Sequence, residues 1–153
     1  MPFRIVPIDH QHYRHLVDVF DEIVKNGDDE HFHPHPFTQA YAIELLNMYS
    51  KDVYMLAISN GTPLAYGMLR GWHQGFTTPF LGIYVSPVGR GTGIAKLMME
   101  ALRFSAYFKG AKEIKLKVHK TNTRAINLYK SLGYEIIDFD KEFYIGTLKL
   151  EKK

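Results

Sequence analysis

The glycine-rich stretch GRGTGIAKL, residues 89–97, has the composition of an anion-binding loop. It follows an apolar strand pattern and opens a helical one. The first turn of a helix leaves backbone amides unpaired, and the helix dipole favours negative charge there. Small residues at positions 91, 93 and 95 leave room for a phosphate to approach, and Arg90 and Lys96 add positive charge. The stretch therefore predicts a phosphate site.

Neither of the two common nucleotide-binding loops fits this stretch. A P-loop, Gly-x-x-x-x-Gly-Lys-Ser/Thr, would need its second glycine at Ile94 or Lys96, counted from Gly89 or Gly91. The dinucleotide pattern Gly-x-Gly-x-x-Gly fails at the same two positions. The phosphate of another kind of ligand is therefore expected.

Two segments resemble signature motifs of the GCN5-related N-acetyltransferases (GNAT). Residues 90–95, RGTGIA, fit the pyrophosphate-loop pattern Arg/Gln-x-x-Gly-x-Gly/Ala, and residues 81–87, LGIYVSP, are similar to the strand that leads into that loop. Residues 118–135, VHKTNTRAINLYKSLGYE, resemble the second signature. Its positions hold Asn122, Ala125, Tyr129 and Leu132-Gly133-Tyr134.

The resemblance implies an acyl-CoA site built largely from backbone. It implies that the strand before the loop splays from its parallel neighbour, and that the pantetheine arm pairs with backbone near Ile83 and Val85. Asn122 would hydrogen-bond that arm, and its context also predicts a helix N-cap. The loop amides that would hold the pyrophosphate belong to Arg90, Gly91, Thr92, Gly93, Ile94 and Ala95.

Catalytic roles follow from what acyl transfer to an amine requires. Tyr129 is the candidate general acid for the departing thiolate, because a phenol is protonated at neutral pH; a core tyrosine is the alternative. Relatives often carry a glutamate on the strand before the loop, yet residues 80–86 contain no acid. His73 and Tyr84 are then candidate general bases, unless a chain of waters carries the proton; His119 is expected at a strand end near the cofactor.

The acceptor site is predicted from an unusual loop, DDEHFHPHPF, residues 28–37. Its alternating histidines allow three interpretations: a polar loop stiffened by proline, a metal site, or acceptor recognition. No second cluster of metal ligands occurs, so no metal is expected. The resemblance implies that this connection borders the acceptor. The predicted substrate-binding residues are His31, His33, His35, Trp72 and Tyr84.

Eleven elements must position these residues. Hydrophobic periodicity and turn signals give the order β-αα-β-β-β-α-β-α-β-β, a mixed α/β (α+β) sheet with helices on its faces. The second helix is predicted over residues 38–49, and the strand before Trp72 over residues 63–72. Residues 80–118 form a βαβ unit, whose two strands should be parallel. The expected architecture is one GNAT-like N-acetyltransferase domain over residues 1–153.

Composition restricts the partners. The chain has no cysteine, which excludes a thiol nucleophile, and no apolar run long enough for a signal peptide or a membrane span, so a cytoplasmic protein without membrane contact is expected. The net charge of +3 suits an anionic ligand, while the dispersed basic residues argue against nucleic acid. The short hairpin at residues 140–141 leaves one wall of the acceptor site open or supplied by a second chain, so a homodimer is also an expectation.

The function predicted from these residues is N-acetylation. The enzyme would move an acetyl group from acetyl-CoA to a primary amine of a small molecule or peptide, by direct attack in a ternary complex. The missing acid on residues 80–86 keeps an alternative, a non-catalytic acyl-CoA-binding module.

Overall fold

The computed structural model describes residues 2–150. Within them the order of helices and strands confirms the predicted order and fold class. The elements are β1 (Arg4–Pro7), α1 (Tyr13–Lys25), α2 (Gln39–Asn47), β2 (Val53–Ser59), β3 (Thr62–Arg70), β4 (Phe80–Val85), α3 (Ile94–Phe108), β5 (Glu113–His119), α4 (Thr123–Ser131), β6 (Glu135–Asp138) and β7 (Phe143–Lys149).

Two predicted boundaries were too long, and backbone geometry explains both. Helix α2 ends at Asn47 rather than residue 49, because Met48 adopts an extended conformation with ψ of 134°. Strand β3 ends at Arg70, because Gly71 has φ of +133° and a 3-10 turn, Trp72–Gln74, follows. A positive φ of that size breaks a strand and is open mainly to glycine.

The described strands form one sheet in the order β1-β2-β3-β4-β5-β7-β6. Strands β4 and β5 are parallel, which confirms the prediction for the βαβ unit, and the other neighbouring pairs are antiparallel. Within the described residues no helix is long and apolar enough to cross a membrane.

Alternation along the central strands divides the interior into two cores. On one face of the sheet, Ala65 and Leu69 pack with Met98 and Leu102 of α3. On the other, Tyr66 and Met68 of the same strand pack against α1 and α2, with buried residues Leu16, Val19, Phe20, Ile23, Ala42 and Leu45. Successive side chains of a strand point to opposite faces, so one strand serves both cores. We call these the α3 face and the α1/α2 face.

Candidate functional site

A cleft opens between the parallel strands β4 and β5. They pair only at Phe80 with Lys115 and at Leu81 with Leu116. By contrast, β4 pairs with β3 along its whole length, and β5 does so with β7. From Gly82 of β4 and Lys117 of β5 onward, the two strands therefore have no strand partner on their facing sides.

The direction of the last hydrogen bonds shows which backbone groups face the cleft. The Lys115 amide donates to the Pro79 carbonyl, 3.0 Å away, whereas the Ser86 amide donates 2.9 Å to Leu64 of β3. Backbone groups alternate in direction along a strand, so those of odd-numbered β4 residues point toward β5. The amides and carbonyls of Ile83 and Val85 thus face the cleft. Backbone groups of this kind need partners, which an inserted ligand arm would supply.

The glycine loop follows the C-terminal end of β4, and its glycines serve two purposes. A Cβ at Gly89 would lie 2.7 Å from the Leu64 carbonyl oxygen, so this position lets the loop pack on β3. Gly91 and Gly93 have φ of +77° and +86°, and a Cβ at either would meet no atom within 4 Å. The space next to these two glycines is therefore free of other protein atoms.

Helix α3 presents free amides to that space. Its first backbone hydrogen bond is donated by Leu97 to the Gly93 carbonyl, so the amides of Ala95 and Lys96 come before the helical ladder begins. The Thr92 hydroxyl donates to the Gly89 carbonyl and fixes the turn. Arg90 and Lys96 are exposed beside it. Unpaired amides at the positive end of a 15-residue helix make an anion site.

Helix α4 carries the second motif. The Asn122 side chain accepts a hydrogen bond from the Ala125 amide at 3.2 Å, which confirms the predicted N-cap. Further along α4, Tyr129 is 7% exposed and lies among the α3-face core residues. The centre of its ring is 5.9 Å from the centre of the Tyr134 ring. Burial raises the pKa of Tyr129 to about 12, so its hydroxyl holds a proton at neutral pH.

The three alternating histidines of the α1–α2 connection do not share one surface. His31 reaches across to β5, where its ring stacks on His119 at 3.8 Å, and Phe143 packs edge-on against both rings. His33 is exposed beside Phe37. His35 turns inward and is only 3% exposed. Only His31 of the three therefore borders the mouth of the cleft.

His35 has a structural environment with both ring nitrogens engaged. Nδ1 lies 2.7 Å from the Pro36 carbonyl, which only accepts, so Nδ1 carries the hydrogen. Nε2 then accepts from the Tyr66 hydroxyl at 2.8 Å. Burial, with a smaller contribution from the Arg70 charge, lowers the pKa of His35 to about 4. The neutral ring ties the connection to β3 instead of meeting the acceptor.

Tyr84 lies on the α1/α2 face of β4 and donates a 2.6 Å hydrogen bond to Oε1 of Glu22 on α1. Burial and this hydrogen bond raise the pKa of Tyr84. That direction is the opposite of what a general base needs. Glu22 of α1 thus brings a carboxylate next to β4, a pairing that the sequence pattern did not indicate.

His73 and Trp72 lie at the other end of β4 from the glycine loop. The His73 amide donates to Oδ1 of Asp52 at 3.1 Å, and its side chain is exposed. Trp72 packs against the α3-face core, and the Lys109 ammonium sits 5.0 Å above its ring. Trp72 therefore contacts the face opposite to His31 and Tyr84, and the five predicted acceptor residues are not brought together.

The described residues contain no group of three histidine, aspartate or glutamate side chains that could hold a metal ion. The histidine-rich connection is accounted for by aromatic stacking and by the His35 hydrogen bonds.

Comparison with known proteins decides the family. The model of the acetyltransferase (GNAT) family matches residues 17–134. The chain belongs to the GNAT acetyltransferase family. Solved GNAT structures share its fold: an N-acetyltransferase from Staphylococcus aureus Mu50 superposes with a TM-score of 0.81 at 18% identity, over 99% of this chain and 100% of that one. The PaiA N-acetyltransferase of Thermoplasma acidophilum, solved in complex with coenzyme A, gives 0.75 at 19% identity over 98% and 100%.

Curated GNAT relatives are similar over shorter stretches. Streptothricin acetyltransferase of Streptomyces lavendulae is 33% identical over 76 residues, 50% of this chain and 39% of that protein. An acetyltransferase of Pectobacterium atrosepticum is 30% identical over 87 residues, 57% and 60% of the two chains. Mouse thialysine N-epsilon-acetyltransferase is 29% identical over 119 residues, 78% and 66%. The chain thus spans between 39 and 66% of the length of these relatives.

Proposed function

We propose that this GNAT protein is an N-acetyltransferase that transfers an acetyl group from acetyl-CoA to a primary amine by direct attack in a ternary complex. The observation that carries the proposal is the cleft between β4 and β5, with the backbone groups of Ile83 and Val85 unpaired beside the glycine loop. Residues 2–150 supply both features from one sheet, so we treat residues 1–153 as one N-acetyltransferase domain.

The described residues fit an acyl-CoA. The open space above Gly91 and Gly93 admits a pyrophosphate, which the amides of Gly91, Gly93 and Ala95 and the α3 dipole would stabilise. The amides of Arg90, Thr92 and Ile94 already donate hydrogen bonds within the loop. Ile83 and Val85 would pair with the amide groups of a pantetheine arm as a neighbouring strand does, and Asn122 lies at the start of α4. When bound, acetyl-CoA supplies an acyl group activated as a thioester.

Tyr129 is the proposed general acid. Its hydroxyl is protonated at neutral pH, as any phenol is, and a thiolate formed beside it would be the group that takes the proton. For the amine proton we propose the Tyr84–Glu22 pair, in which Glu22 is the accepting group and Tyr84 connects it to β4. His73 remains an alternative base. The cytoplasmic location and the homodimer stay predictions from the sequence.

The test is Tyr129→Phe with Tyr134→Phe as the matched control. Both changes remove one hydroxyl from buried tyrosines whose rings are 5.9 Å apart. We expect Tyr129→Phe to lower kcat by about 100-fold or more, the usual range for a general acid, with the dissociation constant of acetyl-CoA unchanged. Tyr134→Phe should leave both quantities near wild type. Equal losses in the two variants would refute the general-acid role.

A non-catalytic acyl-CoA-binding module is the second candidate, favoured by the absence of an acid on β4. Coenzyme A release with a panel of primary amines separates the two functions. Tight acetyl-CoA binding with no amine-dependent release from any member of the panel would select the module.

A further inference from the structure

Three side chains form a row across the sheet at the closed end of the cleft. Arg70 of β3 pairs with Phe80 of β4, and Phe80 pairs with Lys115 of β5. Residues in register on neighbouring strands point to the same face. Arg70 follows Met68 at the strand period of two, so the row lies on the α1/α2 face, the side from which the α1–α2 connection borders the cleft.

These three side chains line one pocket of about 560 Å³. Pro34 of the α1–α2 connection lies on its rim, and Phe76 and Thr78 complete the wall. Phe76 is 62% exposed and Phe80 44% exposed, so the pocket offers two uncovered aromatic rings between two cations. Exposed aromatic surface of this kind suits the apolar stem of a ligand.

The pocket is lined by two cations, Arg70 and Lys115, and by one carboxylate, Asp52, so it keeps a net positive charge. Within residues 2–150, neither Arg70 nor Lys115 forms an ion pair. The Nε of Arg70 is buried and has no hydrogen-bond partner there. The pocket's one acid, Asp52, uses Oδ1 to accept from the Gly71 and His73 amides, both at 3.1 Å. The Arg70 side chain as a whole is partly exposed and lines the pocket, and a carboxylate matches the geometry of a guanidinium.

We propose that the Arg70–Phe80–Lys115 pocket binds a carboxylate of the acceptor, so that the acceptor is an amino acid or a peptide rather than a simple amine. This inference rests on the proposed acetyl transfer. The cleft begins at Gly82, two residues beyond Phe80. Two residues of strand span about 7 Å, so an amine that attacks at the start of the cleft would lie about that far from the bound carboxylate. An amine at the end of a side chain, with a carboxylate at the other end, fits that spacing.

Matched substrates test the proposal. ε-Aminocaproate and hexylamine form one pair, and lysine and cadaverine form another; each pair differs by one carboxylate. We expect kcat/KM, measured by coenzyme A release, to be at least about 10-fold higher for the carboxylated member, as for a hydrogen-bonded ion pair. Arg70→Gln and Lys115→Gln should each remove most of that preference, measured as the ratio of kcat/KM within each pair.

The control is Arg4→Gln, which removes a charge from the exposed start of β1, three strands away from β4. It should keep the full preference. Equal or better turnover of the amines without a carboxylate in both pairs would overturn the pocket assignment while the acetyltransferase function stands. Absence of release with every amine tested would overturn the function itself, and the pocket assignment with it. Lys115→Gln serves as the deciding variant if Arg70→Gln lowers the melting temperature, since Lys115 is not fully buried.

Discussion

His35 makes the stability of this protein depend on pH in a defined range. Its ring is neutral in the folded state, donating from Nδ1 to the Pro36 carbonyl and accepting at Nε2 from the Tyr66 hydroxyl. Protonation would place a second N–H against that hydroxyl and a charge beside Arg70 in a buried site. The folded-state pKa of about 4 lies below the unfolded value of 6.5.

The sign and the size follow from this difference. Below pH 6.5 the unfolded chain takes up a proton at His35 that the folded chain refuses, so the free energy of unfolding falls as the pH falls. The contribution is fully present above pH 6.5 and is lost progressively down to about pH 4. With these two pKa values the loss is about 2 kcal/mol at pH 5 and about 3 kcal/mol at pH 4.

Urea unfolding at pH 8, 6 and 5 measures the effect in wild type, His35→Gln and His33→Gln. Glutamine removes the titrating group, so wild type should lose about 2 kcal/mol more than His35→Gln between pH 8 and pH 5. His33 is exposed two residues away, and its replacement should leave the wild-type pH dependence unchanged. The same pH dependence in wild type and His35→Gln would refute the buried neutral ring.

Three further changes probe the loop and the base. Gly89→Ala should lower stability by about 1–3 kcal/mol in urea unfolding, because the new Cβ would lie 2.7 Å from the Leu64 carbonyl oxygen, and an unchanged midpoint would contradict that packing. Gly93→Glu should weaken coenzyme A binding, measured by calorimetry, at least about 10-fold more than Gly93→Ala, which shares the backbone strain without the charge; equal losses would argue against an anion site. Glu22→Gln should lower kcat about 100-fold with acetyl-CoA binding unchanged, whereas Glu44→Gln, exposed on α2, should have the wild-type kcat. A wild-type kcat in Glu22→Gln would show that another group is the general base.

The arrangement of elements could be read from local patterns because each pattern has a local physical cause. The helix at Ile94 begins where glycines with positive φ end the loop, and Asn122 caps the next helix through its own side chain. The single parallel pair follows from a strand, a helix and a strand in sequence, since such a connection is right-handed and returns to the same sheet. These are short-range rules, and the structure obeys them.

The parts of the candidate site that depend on contacts between residues far apart in the sequence could not be predicted. Tyr84 and Glu22 are 62 positions apart, and His35 and Tyr66 are 31 apart. The sequence predicted His31, His33 and His35 together as substrate-binding residues, but the connection sends His35 into the core. Trp72 follows a glycine that ends β3, and the turn there carries its ring to the α3 face. No local sequence pattern indicates against which face of the sheet the side chain after such a turn will pack.

The cleft is built into the fold because each of its walls is anchored separately. Strand β4 is held by its complete ladder with β3, and β5 by its ladder with β7, so both keep their shape where they part from each other. Their shared ladder ends after two residue pairs, and the His31–His119 stack lies at the C-terminal end of β5 on the α1/α2 face. The unpaired backbone amides and carbonyls of β4 and β5 are hydrogen-bonded only to water in the free protein. An inserted pantetheine arm would pair with them without moving either strand. A preformed cleft of this kind favours donor binding at low cost in conformational entropy. The choice of amine is proposed to lie with the α1/α2 face, where Arg70, Lys115 and Tyr84 lie.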